Sequence, residues 1–138
     1  MAEKITFELV TPYRKVLTEE VDEITAIGSL GEFSVLPGHA PFLTALKIGE
    51  LSYKQNGGSS YLAVNWGYFE IKDDKAVVLV ETAERADEID LERAQAALGR
   101  AETALKTLSA EDKKYRVMEA ALERAAIRMQ VAAKSARK

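Results

Sequence analysis

The hydrophobic pattern of this chain changes its period once, near residue 86, and this change constrains the fold more than any other feature. From Ile5 to about Thr82, apolar and polar residues alternate in short runs, as they do along half-buried β-strands. After Ala86, apolar residues recur every three or four positions, which is the period of an amphipathic helix. We therefore predict a β domain over residues 1–86 and a helical domain over residues 87–138.

The first part of the chain contains several β-rich runs separated by turn signals. The run ITFELV places Ile5, Phe7 and Leu9 on one face of a strand. The segment QNGGSS, residues 55–60, predicts a hairpin because Asn-Gly readily adopts the positive φ of a type I′ turn. The segment KDDK, residues 72–75, predicts another turn. Strands at this spacing indicate an antiparallel β-sandwich or barrel.

Two helices joined by a short connection are predicted in the second part, and they form an antiparallel hairpin. Asp87 is the predicted N-cap of the first helix, and Asp90 lies in its first turn, near the positive end of the helix dipole. In the connection SAED, Ser109 is the predicted N-cap of the second helix, with Asp112 three residues later. The predicted apolar seams are Leu91, Ala94, Leu98, Ala101, Leu105 and Leu108, then Tyr115, Met118, Leu122, Ala125, Met129 and Ala132.

Alanine occupies several positions of these seams. It is the best helix former, but it buries little apolar area. Such helices should stay helical when they are undocked and yet hold each other only weakly. This combination suits a hairpin that changes position, and a permanently packed hairpin with a thin core fits the composition equally well.

The charge of the chain is divided unevenly. The net charge is -3. From Lys113 onward there are two acidic and eight basic residues, which give this segment a charge of +6 and leave -9 for the rest of the chain. A basic final helix on an acidic body suggests an acidic partner, an anionic ligand or a membrane surface, although a solvated helix face gives the same pattern. The basic residues are Lys113, Lys114, Arg116, Arg124, Arg128, Lys134, Arg137 and Lys138.

Several arginines of the helical part lack an acidic neighbour on their own helix. Arg100, Arg124 and Arg128 have no carboxylate three or four residues away, whereas Arg93 has Asp90. A guanidinium group binds phosphate or carboxylate in a bidentate manner. We therefore expect an anionic group to meet these arginines in at least one state of the protein.

The composition and motifs exclude several kinds of site. The chain has no Cys and a single His, so it offers no thiol catalysis and no multi-His or Cys-ligated metal site. It has no Gly-rich phosphate-binding loop, and its net charge argues against nucleic-acid binding. No apolar run approaches ~20 residues and the start is not a signal peptide, so we expect a soluble protein that meets membranes only through partners.

One loop and one strand carry residues that are better explained as contact surfaces than as catalytic groups, and a second loop carries a glutamate that is unremarkable by itself. His39 lies between two prolines in LPGHAPF, with no nucleophile or orienting acid in a flanking motif. Glu32 follows Gly31 in another loop. Trp66 and Tyr68 alternate along a strand and favour a core or an interface over a ligand platform. Nothing in the sequence indicates an enzyme that acts alone.

The segments GSLGEFSVLPGHAPFLTALKIGEL, VNWGYFEI and VLVETAERADEIDLERA resemble the epsilon subunit of F-type ATP synthases of bacterial or plastid type. The resemblance covers essentially the whole chain. It implies a ten-stranded β-sandwich followed by a two-helix hairpin, in agreement with the two periods, and a non-catalytic subunit of the central stalk. It also implies a sandwich held against the gamma subunit and the ring of c subunits, with Glu32 near the c-ring and His39 at the rotor interface.

The resemblance also implies a location in the cell and a regulatory role. The protein would lie at the cytoplasmic face of the bacterial plasma membrane, or at the stromal face of the thylakoid. The hairpin of this family packs on the sandwich in one state. In the other state it extends along gamma into the alpha/beta catalytic hexamer and blocks ATP hydrolysis, where a basic helix would meet acidic segments of the beta subunits.

Some members of the family bind ATP on the folded hairpin through an I/L-D-x-x-R-A motif, and IDLERA matches it. By resemblance, no cofactor is required and ATP is a regulatory ligand. The spacing between the helices is one residue longer than in ATP-binding relatives. The residues that the resemblance assigns to ATP are Glu84, Ile89, Asp90, Arg93, Ala94, Arg100, Arg124 and Arg128.

Two other functions are open from the sequence. One is a free-standing β-sandwich adaptor that binds another coiled coil through its hairpin. The other is a small-molecule sensor outside any ATPase. Neither has a reason to bind gamma, so binding to gamma separates both from the stalk subunit.

Overall fold

The computed structural model describes residues 3–135, and within them a β domain precedes two helices, as the sequence predicts. A short 3-10 turn (Ala86–Glu88) leads from the last strand into helix α1 (Leu91–Thr107), and helix α2 (Lys113–Ser135) follows. The basic residues Arg137 and Lys138 lie outside the described residues. The strands are β1 (Ile5–Val10), β2 (Lys15–Val21), β3 (Glu23–Gly28), β4 (Gly31–Val35), β5 (Phe42–Leu46), β6 (Gly49–Gln55), β7 (Gly58–Lys72) and β8 (Lys75–Arg85).

The strands form a sandwich whose two layers share the long strands. One layer has the order β2-β1-β8-β7-β5, and the other continues from β7 through β6 and β3 to β4. The pairs are antiparallel except for β1 and β8, which run parallel. The predicted turn at QNGGSS is present, since Asn56 and Gly57 have φ values of 51° and 84°.

β7 reverses its inward-facing side at Trp66, and this reversal lets one strand serve both layers. Before Trp66 the even-numbered Leu62 and Val64 are in the core, and after it the odd-numbered Phe69 and Ile71 are. Trp66 has a φ of 40°. The next residue, a glycine, lies so close to β8 that a Cβ would be 1.9 Å from the Leu79 carbonyl oxygen, so only glycine fits. The described residues form eight strands instead of the implied ten because β7 and β8 each pass through both layers.

The space between the layers is filled by large apolar side chains. Ile5, Phe7 and Leu9 are fully buried, which confirms the inward face predicted for ITFELV. Three aromatic pairs meet edge to face: Phe7 with Tyr53 at 5.5 Å between centroids, Phe33 with Phe69 at 5.0 Å, and Phe33 with the partly exposed Phe42 at 5.3 Å. The other fully buried large side chains of this core are Ile24, Leu51, Leu62, Ile71, Val21, Val35 and Val78.

Each helix begins at an aspartate, later in the chain than predicted. The N-cap of α1 is Asp90, whose Oδ1 accepts a hydrogen bond from the backbone N–H of Arg93 at 3.1 Å. Asp87 lies in the preceding 3-10 turn, so its prediction as the N-cap was wrong. Before α2, Asp112 accepts from the Lys114 N–H at 2.9 Å. Ser109, predicted as this N-cap, accepts instead from the Glu111 N–H in the connecting turn, at 3.3 Å.

The helices form an antiparallel hairpin that is folded against the sandwich, mainly through α2. An apolar docking cluster of Ala63, Ile89 and Val131 joins the two parts, with Tyr61 and Ile127 packed beside it. Leu91, predicted to lie in the seam, is 43% exposed. The fully or almost fully buried residues of the described part of the hairpin are all small: Ala94, Ala101, Ala125 and Val131.

Candidate functional sites of the hairpin and sandwich

A cavity of about 520 Å³ lies between α2, the strands β7 and β8, and the turn that joins β1 to β2. Three alanines of the hairpin, Ala97, Ala121 and Ala125, line it and leave it open because their side chains are short. The sheet contributes the polar side chains of Asn65, Glu81, Thr82 and Glu84. This volume is in the range that holds a small-molecule ligand.

Glu84 and Arg128 meet across this cavity in a bidentate ion pair. Nε and Nη2 of Arg128 donate to the two carboxylate oxygens of Glu84 at 2.7 and 3.2 Å. The side chains are 26% exposed for Arg128 and 37% for Glu84, so water screens part of their attraction. The anion expected for Arg128 is therefore supplied, in this state, by the sandwich itself.

Arg124 lines the same cavity, one helical turn before Arg128. It forms no ion pair with another residue of the described part of the chain. Arg14, from the β1–β2 turn, also lines the cavity and is 3.6 Å from the Glu88 carboxylate. The cavity wall thus holds two arginines that lie beside a carboxylate, Arg14 and Arg128, and one, Arg124, that is available to an anion.

The structure brings only part of the predicted ATP site together. Glu84, Arg124 and Arg128 share the cavity. Arg93 and Arg100 are exposed and do not line it. Arg100 instead borders a shallow groove on α1 with Gly99 and Thr103.

The three remaining residues of the IDLERA motif act in the local structure of the hairpin. Ile89 is buried in the docking cluster, and Ala94 is fully buried between the helices. Asp90 caps α1. Asp90 and Arg93 therefore form the start of helix α1, with the side chain of Asp90 bound to the backbone of Arg93.

A second polar contact fastens the far end of α2 to β6. Nζ of Lys134 donates to the Glu50 carboxylate at 2.6 Å, and Gln130 donates to the same carboxylate at 3.2 Å. The Lys134 ammonium also lies 4.6 Å from the centre of the Tyr61 ring. Sequence reasoning missed Glu50, because nothing in the strand sequence GEL indicates that its carboxylate faces a helix 80 residues away.

One end of the sandwich presents the predicted rotor-interface residues. Glu32 lies in strand β4 and not in the loop predicted for it. It is exposed, next to the β3–β4 turn where Leu30 is fully exposed. Nδ1 of His39 donates to the Ala40 carbonyl oxygen at 2.7 Å, and its ring lies 5.9 Å from the Phe42 ring. The backbone N–H of Gly38 donates to Asp74 at 2.6 Å, which ties this loop to the β7–β8 turn.

A second surface of the sandwich is apolar and exposed. Trp66, Tyr68 and Leu79 are 46%, 60% and 51% exposed, and they border a shallow groove of about 600 Å³ with Pro12 and Ala45. We call Trp66, Tyr68 and Leu79 the aromatic face. Exposed apolar side chains gathered in one patch are typical of a protein-binding surface.

Two kinds of feature are missing from the part of the chain that the structure describes. Neither helix has a stretch long and apolar enough to cross a bilayer. Among residues 3–135, no group of three His, Asp or Glu side chains is placed to hold a metal ion.

Two family models together match almost the whole chain. The model described as "ATP synthase, Delta/Epsilon chain, beta-sandwich domain" matches residues 4–86. The model described as "ATP synthase, Delta/Epsilon chain, long alpha-helix domain" matches residues 87–133.

Curated relatives from bacteria are similar over their full length. The ATP synthase epsilon chain of Geobacter sulfurreducens is 78% identical over 138 residues, covering all of both chains. The protein named ATP synthase epsilon chain 2 of Syntrophotalea carbinolica is 58% identical over 137 residues, covering 99% of each chain.

Solved structures show the same fold at low sequence identity. A chain of the Euglena gracilis mitochondrial ATP synthase superposes with a TM-score of 0.80 at 24% identity, over all of this chain and 84% of that one. A chain of the Tetrahymena thermophila mitochondrial ATP synthase superposes with a TM-score of 0.58 at 16% identity, over 97% of each chain. The family models and the bacterial relatives confirm the resemblance: the chain belongs to the delta/epsilon chain family of ATP synthase, as a subunit of that complex and not one of its catalytic subunits.

Proposed function

We propose that the protein works in the central stalk, where the sandwich joins the gamma subunit to the c-ring and the hairpin restrains ATP hydrolysis. The observation that carries this proposal is a structural difference between the sandwich and the hairpin. The sandwich has an exposed apolar surface for permanent partners, and the hairpin is attached to it by a small apolar cluster and two ion pairs that other partners can replace.

The aromatic face is the surface that we assign to gamma. Its three side chains are half exposed, although each is of a type that proteins usually bury. Aromatic residues are enriched at the centres of protein interfaces. Covering this face would remove an exposed apolar patch from water and so stabilise the complex.

The end of the sandwich that carries Glu32 and the fully exposed Leu30 is the surface that we assign to the c-ring, with His39 in the neighbouring loop of the rotor interface. In this arrangement the protein is held at the membrane only through the complex. No nucleic-acid partner belongs to the proposal. The bacterial origin of the relatives favours the cytoplasmic face of the plasma membrane over the thylakoid.

The experiment that tests the rotor assignment is co-purification of the chain with gamma. We expect Tyr68→Glu to reduce the retained gamma strongly, because a carboxylate in the centre of an apolar interface is left unpaired. Val117→Glu is the matched control, since Val117 is an apolar residue of α2 with the same exposure, 58% against 60%. Equal retention of gamma by both variants would contradict the assignment, and no retention by the unaltered chain would favour the free-standing adaptor.

For the hairpin, we propose that ATP holds it down and that its release blocks hydrolysis in the alpha/beta hexamer. Arg124 and Arg128 lie one turn apart on the same cavity wall, where two guanidiniums match the phosphates of one nucleotide. The phosphates would compete with Glu84 for Arg128. In the proposed site Arg93 and Arg100 swing from solvent toward the bound nucleotide, and Ile89, Asp90 and Ala94 hold α1 in position.

Calorimetric titration of the full chain with ATP, with and without magnesium, tests this site. We expect saturable binding that is weakened by Arg93→Met and by Arg128→Met. Arg116→Met is the control, because Arg116 is an exposed arginine of α2 that does not line the cavity. Unchanged affinity in both site variants would refute the site, and absence of binding up to several millimolar ATP would leave the arginines to protein partners.

A further inference from the structure

Helix α2 docks on the segment that links the two domains as well as on the sandwich. This segment, residues 86–89, consists of the 3-10 turn and the isoleucine after it, and we call it the hinge turn. Ile89 belongs to the docking cluster, Ala86 packs beside that cluster, and the 3-10 turn contacts α2. From β7, Ala63 belongs to the same cluster. The hinge turn is therefore part of the surface on which the hairpin docks, as well as the connection to it.

The 3-10 turn at the centre of the hinge is too short to keep its shape by itself. It has three residues, none of them buried, and a helical turn of this length is unstable without outside contacts. Ile89, which follows it, has an extended backbone with φ of -78° and ψ of 127°. The position of Ile89 against α2 therefore depends on contacts that hold the turn on the sandwich.

Glu88 supplies such contacts, because its carboxylate lies between two arginines of the sandwich. Its Oε2 is 3.6 Å from Nη2 of Arg14, and its Oε1 is 3.6 Å from Nε of Arg85. Nη2 of Arg85 also donates to the Val16 carbonyl oxygen at 3.2 Å, which holds this guanidinium against β2. We call Glu88, Arg14 and Arg85 the hinge clamp. It ties the hinge turn to the β1–β2 turn and to the end of β8.

The backbone that carries Arg14 is ordered before it meets Glu88. The backbone N–H of Thr11 donates to the Arg14 carbonyl oxygen at 2.9 Å. Oγ1 of Thr11 accepts from the N–H groups of Tyr13 and Arg14, both at 3.3 Å. Because these bonds already fix the turn, the ion pair with Glu88 orders less backbone than it would on a free loop.

We propose that the hinge clamp holds Ile89 in place for Val131, so that Glu88 sets how firmly the hairpin docks. Glu88 is a positioning residue in this scheme, since its carboxylate binds arginines of the sandwich and acts on α2 through Ile89. The strength of docking is then set in part by Arg14, in a turn outside the docking cluster. This inference concerns docking alone, so it is independent of ATP binding and of the restraint of hydrolysis.

The test measures how often the docking cluster opens. Val131 is fully buried and the chain has no Cys, so Val131→Cys introduces a single thiol that is shielded while the hairpin is docked. Its rate of alkylation by iodoacetamide then follows the undocked fraction. We expect Glu88→Gln to raise this rate by roughly two- to fivefold, the range for partly exposed ion pairs. Asp87→Asn is the matched control, because it removes the same charge from an exposed neighbour that has no ion pair among residues 3–135.

Combined variants test whether Glu88 acts through Ile89. Ile89→Ala should raise the alkylation rate by itself, because it removes apolar contacts from the docking cluster. In that background Glu88→Gln should add little, since the side chain that it positions is gone. Arg14→Met in the chain that keeps Ile89 should also raise the rate, but by less than Glu88→Gln, because Arg85 still holds the carboxylate.

An NMR measurement without the introduced thiol keeps the inference testable if Val131→Cys itself undocks the hairpin. We expect Glu88→Gln to shift the methyl resonances of Ile89 and Val131, and Asp87→Asn to leave them in place. The inference would be overturned by unchanged methyl resonances and alkylation in Glu88→Gln, by an equal effect of Asp87→Asn, or by an effect of Glu88→Gln that is the same with and without Ile89→Ala. A failure of the chain to bind ATP would refute the proposed ATP site and leave the hinge clamp standing.

Discussion

The sandwich and the hairpin of this protein are stabilised in different ways. The sandwich buries large side chains, including Phe7, Phe69 and Leu51, between two layers that share strands. The hairpin buries mainly alanines, and two ion pairs with a small docking cluster fasten it to the sandwich. One chain can therefore combine a stable domain with an element that is attached weakly. Such an element can leave the domain and bind another partner instead.

The buried area explains this difference in strength. Stabilisation by burial grows with the apolar surface removed from water, at about 25 cal/mol per Å². A fully buried Phe therefore contributes much more than a fully buried Ala. Partly exposed ion pairs add little, typically below about 1 kcal/mol each. The hairpin should consequently detach before the sandwich unfolds.

The largest expected effect comes from removing a ring of the sandwich core. We expect Phe69→Ala to lower the free energy of unfolding by about 3–5 kcal/mol, because it leaves a cavity in a fully packed site. The corresponding truncation in the hairpin, Leu122→Ala, should cost less than about 2 kcal/mol, because Leu122 is only partly buried.

Urea unfolding with two probes measures both effects. The fluorescence of Trp66, the single tryptophan, reports on the sandwich, and far-ultraviolet circular dichroism is dominated by the helices. We expect Phe69→Ala to move the fluorescence transition and Leu122→Ala to move mainly the helical signal. Coincident transitions that both variants shift equally would show that the two regions unfold as one unit.

A smaller effect is expected from the ion pair at the end of α2. Glu50→Gln removes the charge that holds Lys134, and we expect it to weaken docking by about 1 kcal/mol. Hydrogen exchange should then become faster along α2 and stay unchanged in the strands, and added salt should reduce the difference between variant and parent. Glu23→Gln is the control, since it removes the 3.5 Å pair with Lys54 within the sandwich. Unchanged exchange in α2 would mean that the docking cluster alone holds the hairpin.

The smallest expected effect is a change in thermal stability at acid pH, and its cause lies within the sandwich. A hydrogen bond from Lys4 holds the pKa of Asp22 below its ordinary value, aided by the backbone N–H of Asn56. A carboxyl group with a lowered pKa stabilises the fold above its ordinary pKa, and this contribution is lost as the pH falls through the lowered value.

We therefore expect the thermal midpoint of the parent to fall more steeply below about pH 4 than that of Asp22→Asn. Thermal scans from neutral to acid pH measure this difference. Asp87→Asn is the control, because Asp87 is exposed in the turn before α1 and has no ion pair within the described residues. Equal acid slopes of parent and Asp22→Asn would contradict the expectation.

The sequence predicts what is local and periodic. The change of period near residue 86, the inward face of ITFELV and the type I′ signal at Asn56 and Gly57 all follow from interactions between near neighbours. The arginines of the hairpin were also found from local information, because the carboxylates missing from their own helix can be counted. The structure confirms the inward face of ITFELV and the positive φ values at Asn56 and Gly57, because tertiary packing does not oppose these local preferences.

The sequence does not predict contacts between distant segments. The partner of Arg128 is Glu84, 44 residues earlier, and that of Lys134 is Glu50, 84 residues earlier. The helix start at Asp90, three residues after the predicted cap, depends on a 3-10 turn that the hydrophobic period does not reveal. The sequence also does not distinguish Asn65 from a polar residue on the outer face of a strand. Its burial appears only when α2 covers that face.

The two aspartates that begin the helices have a consequence for the speed of hairpin movement. Asp90 and Asp112 satisfy the first backbone N–H groups of α1 and α2 with side chains of the hairpin itself. Undocking therefore exposes no helix start that the sandwich had capped, and neither helix has to be nucleated again when the hairpin docks elsewhere. The hairpin should move as a preformed rod, on the microsecond to millisecond timescale of domain motions rather than through an unfolding and refolding cycle.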